Sequence, residues 1–228
     1  MQYAFSPAPV VTVPIIGQDN HYPVNRIFCV GRNYAEHTKE MGFNPDREPP
    51  FYFTKSPINI LAAPSEIPYP PQTENYHHEI ELVVAIGQDG FEIPESDALG
   101  IVFGYATGLD MTRRDLQLVA RDKGRPWCLG KDVEGSAVIS RITPVSEVGH
   151  LSDGAITVTV NDEMRQQSDI EELIWSVPEL IANLSNFYHL APGDLIYTGT
   201  PAGVGPVLPG DKIKGHVAGL ESLDVSVS

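Results

Sequence analysis

The chain has 228 residues, 15 basic against 30 acidic side chains and a formal net charge of -15. That balance excludes a nucleic-acid binder, whose phosphate contacts run on clustered Lys and Arg, and apolar stretches such as Leu82 to Ile86 are far too short to span a bilayer. With 42% hydrophobic residues there is material for a sizeable core, so one folded domain with at most a small appendage is expected.

The opening MQYAFSPAPV has no basic segment followed by an apolar one, and Cys29 and Cys128 are too few for a disulfide framework. Both features point to a reducing cytoplasm, with a single bridge between the two cysteines left open. Residues 1–25 carry Pro7, Pro9, Pro14 and Pro23 among Val and Ile, as edge strands or a wrapping arm would. They are expected to form an N-terminal arm ahead of a catalytic domain over residues 26–228.

Glycine and proline number 20 each and punctuate short runs of Val, Ile, Tyr and Phe, which predicts an α+β, mostly β fold with a few short helices. The clearest strands are Arg26 to Val30, Glu79 to Gly87, Ile101 to Asp110, Ala155 to Val160 and Leu195 to Thr200, with an extended segment from Pro50 to Lys55. Three helices follow from caps and period. Asn33 with Glu36 resembles a capping box for Tyr34 to Met41, stopped by Gly42. Thr112 with Asp115 starts a second, with Leu116, Val119 and Ala120 on one face and Gly124 at its end. Ser176 with Glu179 starts a third, with Leu180, Ile181, Leu184, Phe187 and Tyr188 at helical spacing.

Alternation along His77 to Gly87 puts Ile80, Leu82, Val84 and Ile86 on one face and Glu79 with Glu81 on the other. Two carboxylates side by side repel unless a cation or solvent lies between them, and a solvated outer face is the competing reading. Asp110 ends a strand whose same face carries Gly104, Ala106 and Gly108, a small-residue floor that lets a strand or a ligand approach. Three carboxylates without Cys suit Mg²⁺, Mn²⁺ or Ca²⁺ better than zinc. His77 and His78, being adjacent, point to opposite faces and are assigned structural or surface roles. His37 and Glu40 share a helix face, so the carboxylate can orient the imidazole as a general base, although such a pair is commonly a plain surface contact. In Tyr197 to Gly205, glycine-rich backbone N–H groups could bind a carboxylate, or form only a turn.

Taken together, these motifs resemble the fumarylacetoacetate hydrolase family. The resemblance rests on Gly31-Arg32-Asn33-Tyr34 with His37 and Glu40, on His78-Glu79-Ile80-Glu81-Leu82, and on Gly108-Leu109-Asp110-Met111-Thr112 with Arg114-Asp115. Gly124-Arg125-Pro126-Trp127 followed by Lys131, and Thr198-Gly199-Thr200-Pro201, complete it. The arm and the stretch Gly42 to Pro50 leading into Phe51-Tyr52-Phe53 are most similar to the family's fumarylpyruvate hydrolases.

The resemblance implies a mixed β-roll, a homodimer, and one Mg²⁺ or Mn²⁺ held by Glu79, Glu81 and Asp110. It implies that His37 with Glu40 activates water, that Lys131, Gln117 and Thr200 contact substrate carboxylate or oxyanion, and that Arg114 positions substrate. Arg32, Arg114, Lys55 and Lys131 would concentrate positive charge in an acidic chain. After the lysine, Lys131-Asp132-Val133-Glu134-Gly135 departs from the family's aromatic and small polar residues and adds negative charge. The implied activity is hydrolysis of a C–C bond in a 2,4-diketo acid of the acylpyruvate class, such as fumarylpyruvate, in aromatic catabolism. Oxaloacetate decarboxylation or tautomerisation on the same scaffold is the alternative, and a non-enzymatic metal-stabilised binding domain is a third.

Overall fold

The computed structural model describes residues 2–40 and 47–228. Among them are eighteen strands and six α-helices, none longer than nine residues, arranged as the expected mixed, mostly β roll. The largest sheet runs in the order Phe51–Lys55, Arg26–Gly31, Asp194–Tyr197, Ile80–Ile86, Val102–Asp110, Ala137–Ile139, Ile60–Ala62, with Thr143–Pro144 also paired to Val102–Asp110. Two of its pairings are parallel, Asp194–Tyr197 with Arg26–Gly31 and Ala137–Ile139 with Ile60–Ala62, and the others are antiparallel. A second sheet runs Glu163–Asp169, Ala155–Val160, Lys212–Val217, Leu223–Val227, Ser65–Ile67.

The alternation argument expected one buried face on the strand after Glu79, but every residue of Ile80–Ile86 is buried. Ile80, Leu82, Val84 and Ile86 pack against Ile156, Val158, Ile213 and Val217 of the second sheet. Val83 and Ala85, on the opposite side, join Ile27, Cys29, Val13, Ile15 and Tyr22 in a separate apolar cluster. Residues of the N-terminal stretch therefore cover the back of the sheet. There a hairpin pairs Thr12–Pro14 with His21–Pro23, and the Tyr22 hydroxyl lies 2.7 Å from the carbonyl of Ile86 and 2.9 Å from that of Asp194. Each fully buried Val or Ile contributes about 1.5–3 kcal/mol, so two apolar layers fix the central strand firmly.

The small-residue floor admits protein, not ligand. A Cβ on Gly104 would lie 2.4 Å from the carbonyl oxygen of Thr143, and one on Gly108 would meet Val83 Cγ2 at 2.5 Å and Tyr197 Cε1 at 2.8 Å. Close packing of neighbouring strands and of Tyr197 is what those residues permit.

The helices differ from expectation in detail. The first spans Ala35–Glu40, and its expected end at Met41 and Gly42 lies outside the described residues. Asn33, expected as its cap, instead uses its side chain on Trp175 and Thr198. The second, Arg114–Asp122, buries Arg114, Gln117 and Ala120, while Val119 is exposed and Leu116 only partly covered. Its inward face is thus polar, because it borders a site and not the apolar core. The third, Val177–Ser185, has the expected capping box of Ser176 and Glu179 and buries Leu180, Ile181 and Leu184. It ends before Phe187 and Tyr188, which are exposed. Cys29 is buried, Cys128 exposed, and both are free. No helix among the described residues is long and apolar enough to cross a membrane.

Candidate active site

Register places the carboxylates. Ile80–Ile86 pairs antiparallel with Val102–Asp110 so that Ile80 faces Leu109, and the Asp110 N–H donates to the Glu79 carbonyl at 2.9 Å. Glu79, Glu81 and Asp110 are thereby brought to one end of the two strands. One carboxylate oxygen from each lies within 4.8 Å of the others, and all three residues are buried. The solvated outer face considered from sequence is therefore not what forms.

These three line a cavity together with Arg32, His37, Arg114, Gln117, Lys131 and Thr200. Of the eleven residues proposed from sequence, nine thus border one space, Glu40 stands behind His37, and Lys55 lies outside the lining. Sequence reasoning missed Arg121, Phe53 and Val30, which share the lining. Arg121 follows Arg114 and Gln117 at helical spacing, a pattern that could have placed it on the same face.

Cations interleave the carboxylates. Lys131 Nζ lies 2.7 Å from Glu79 Oε2, 2.6 Å from Asp110 Oδ2 and 2.8 Å from Thr112 Oγ1, so its three N–H bonds are all engaged. Arg114 lines the cavity and donates to Glu79 and to the Gln117 side-chain oxygen. That contact turns the Gln117 amide so that its NH₂ is left to donate elsewhere. Lys55, grouped with the charges for substrate, lies beneath the site. Its Nζ is 2.8 Å from Asp110 Oδ1 and donates to Met111 O, Lys131 O and Ser136 Oγ.

Burial raises the Glu79 carboxyl, but the charges of Lys131 and Arg114 more than offset this and hold it well below the ordinary range. Glu81 goes the other way. Burial and then the charges of Asp110 and Glu79 push it well up, and the nearby Lys131 and the Gly199 N–H, at 2.8 Å, do not compensate. Burial would lower Lys131, yet Asp110 and Glu79 raise it. Glu81, alone of the three in having no ion-pair partner among the described residues, is where an added cation would find a carboxylate without a counter-charge. Three buried carboxylates drawn together, one with its charge uncompensated, fit an oxygen-preferring divalent ion. An ion held by Glu79 and Asp110 would compete with Lys131 for their oxygens and so would free N–H groups of that lysine.

His37 is buried and its Nδ1 lies 3.2 Å from Glu40 Oε2, which makes the pair more than a surface contact. The glycine-rich loop does bind carboxylates, but those of the protein itself. Gly199 N–H donates to Glu81, and Gly203 N–H donates to Glu40 at 3.1 Å. Gly203 has φ +94°, and a Cβ there would sit 2.1 Å from the Arg165 carbonyl oxygen, so no other residue fits. Glu40 is held low, first by the His37 hydrogen bond, against burial, and further by the Gly203 N–H.

His78 is buried with Nδ1 3.0 Å from Gln166 Oε1, and His77 Nε2 lies 2.8 Å from Asn75 Oδ1, the structural roles expected of them. Burial and the Arg114 charge lower His77 to about 4, so it is neutral near pH 7. The extra acids after Lys131 leave the cavity alone. Asp132 accepts from Ser56 and Asn59, and Glu134 is exposed.

Comparison with known proteins agrees with this geometry. A family model, fumarylacetoacetate hydrolase C-terminal, matches residues 26–228. A fumarylpyruvate hydrolase from Ralstonia sp is 55% identical over 180 residues, 79% of this chain and 93% of that protein. A mitochondrial oxaloacetate tautomerase of Oryza sativa is 42% identical over 205 residues, 89% of this chain and 90% of its own. The crystal structure of a fumarylpyruvate hydrolase from Pseudomonas aeruginosa, in complex with Mn²⁺ and pyruvate, superposes with a TM-score of 0.97 at 50% identity and covers 99% of each chain. The chain belongs to the fumarylacetoacetate hydrolase family.

Proposed function

We propose that this protein hydrolyses the C3–C4 bond of an acylpyruvate, with fumarylpyruvate giving fumarate and pyruvate as the leading case. The observation that carries the reading is that His37, backed by Glu40, opens onto the same cavity as Glu79, Glu81 and Asp110. Glu79, Glu81 and Asp110 would hold Mg²⁺ or Mn²⁺. When bound, that ion supplies Lewis acidity to the 2-oxo acid end of the substrate. The Ralstonia and Pseudomonas relatives support both the substrate class and the metal.

Glu40 accepts from His37 Nδ1–H, which leaves Nε2 to take a proton from water. Hydroxide adds to the C4 carbonyl. Gln117, its amide turned by Arg114, and Lys131 donate to the oxygen that becomes negative. The C3–C4 bond then breaks, its electron pair goes to C3, and C4 leaves as the carboxyl carbon of fumarate. The pyruvate enolate gains a proton at C3, which balances the one taken from water. Arg32, whose guanidinium lies 5.4 Å from the Phe51 ring centre, and Arg121 line the cavity where the distal carboxylate of a fumaryl group would need positive charge. We read residues 26–228 as the catalytic unit and residues 1–25 as its arm, of which Val13, Ile15 and Tyr22 pack onto the sheet. We read the protein as a cytoplasmic homodimer, on the family resemblance, and light scattering tests the dimer.

The test follows fumarylpyruvate absorbance with purified protein and Mg²⁺ or Mn²⁺, against a chelator control and with oxaloacetate in parallel. Metal-dependent release of fumarate and pyruvate is expected. Oxaloacetate turnover with fumarylpyruvate untouched would replace this reading with the tautomerase or decarboxylase one, which the Oryza relative favours.

A further inference from the structure

A buried amide joins the carboxylate-bearing strand to the loop that carries Thr200. Gln166 belongs to Glu163–Asp169, whose ladder with Ala155–Val160 slips. Val158 faces Gln166 but Thr159 faces Met164, so Arg165 is an extra residue. Such a bulge re-aims the side chains beside it. Gln166 points inward and is fully buried, while Glu163, Met164, Arg165 and Gln167 are exposed.

The Gln166 amide oxygen accepts from the Ile80 backbone N–H at 3.0 Å and faces His78 Nδ1 at 3.0 Å. Its nitrogen donates to the Pro201 carbonyl at 2.7 Å and to Thr200 Oγ1 at 2.8 Å. The orientation of the amide is forced, because a backbone N–H only donates and a carbonyl only accepts. Two proton positions follow. His78 carries its hydrogen on Nδ1, and its buried Nε2, with no partner, carries the lone pair. Thr200 Oγ1 already receives an N–H, so its own hydrogen points elsewhere. Among the described residues no acceptor for that hydrogen is in reach, and Thr200 lines the cavity.

We propose that Gln166 is a positioning residue that fixes the Thr200 hydroxyl as a hydrogen-bond donor to a carboxylate oxygen of the bound 2-oxo acid. By gripping His78 and Ile80 on either side of Glu79, the same amide ties that donor to the carboxylate cluster. The inference rests on the acylpyruvate reading for the identity of the ligand, though not for the proton positions.

Gln166→Glu tests it, since a carboxylate of nearly equal volume would accept the Thr200 hydrogen and turn it away from the cavity. Pyruvate affinity of the Mn²⁺-loaded protein is measured by calorimetry, and KM and kcat with fumarylpyruvate, for the parent, Gln166→Glu, Thr200→Val and the double variant. Each single variant is expected to weaken pyruvate by about tenfold and to raise KM similarly, with kcat within about threefold. The double variant should be no worse than Thr200→Val alone. Independent, multiplicative losses, an unchanged pyruvate affinity in Gln166→Glu, or a parent that does not bind pyruvate would each overturn the proposal. Nitrogen NMR of the histidine-labelled parent gives a check that needs neither variant nor ligand. His78 should be protonated on Nδ1, and protonation on Nε2 would overturn the forced amide orientation. If the parent leaves fumarylpyruvate untouched, the functional reading fails, while the pyruvate affinities and the His78 tautomer still decide this one.

Discussion

The carboxylate cluster and the His37–Glu40 pair face one cavity but are built by different means. Glu81 and Asp110 ride on two antiparallel strands buried on both sides and Glu79 directly precedes the first, its carbonyl bonded to the Asp110 N–H, so their spacing follows from the ladder and its end. His37 and Glu40 sit off the sheet, on the helix whose described residues are Ala35–Glu40. That helix is tied down by side chains. Asn33, just before it, bonds Trp175 and Thr198, and Gly203 N–H holds Glu40. One half of the site is fixed by the sheet, the other by a handful of polar contacts, so the first should survive single changes in geometry that disable the second.

The strongest break in this contrast is at the sheet. Asp110→Asn is expected to abolish both Mn²⁺ binding and turnover. The loss should exceed the roughly 10–100-fold typical of a metal ligand's outer partners, and calorimetric Mn²⁺ binding equal to the parent's would remove Asp110 from the metal site. Next comes His37→Gln, expected to lower kcat by about 10²–10⁴ with Mn²⁺ affinity unchanged. A variant with full hydrolysis would end the base assignment.

Asn33→Ala probes the clamp. It leaves the Trp175 N–H and two carbonyls without their side-chain partner, so a stability loss of about 1–3 kcal/mol is expected in urea titrations. A drop in kcat with Mn²⁺ affinity intact should accompany it, and equal losses in both would erase the distinction between the two halves. The smallest effect concerns acid. Glu40 is held low in the fold, so the stability it adds is present above the ordinary carboxylate range and lost as pH falls through its lowered value. The parent's advantage over Glu40→Gln in denaturation midpoint should therefore shrink below about pH 4.5, and a pH-independent gap would contradict the hydrogen-bond account.

The same contrast explains what could be read beforehand. Alternation put Glu79 and Glu81 together and small residues led to Asp110, because strand period is local in sequence. Burial of Val83 and Ala85 was invisible, since the second apolar layer comes from residues far away in the chain, Val13 to Tyr22. The motif spacing brought Lys131 and Arg114 to the site, but not their engagement with Glu79, which depends on two helices meeting at Gln117 and Gly130. Val119 looked like core because apolar periodicity cannot tell a helix facing an apolar interior from one facing a polar cavity. Gln166 carried no local signal. Its inward aim comes from a one-residue slip against a neighbouring strand.

Lys55 has one more consequence. Counted with Lys131 and Arg114, it sets three basic groups against the three acids Glu79, Glu81 and Asp110. By number, then, basic groups match acids there, although Glu81 has no ion-pair partner among the described residues, inside a chain whose total is -15. A divalent ion would add its charge to that of Arg32 and Arg121 in the lining, which favours an anionic ligand. Lys55 thus helps set the charge that a ligand meets, from beneath the cavity and outside its lining.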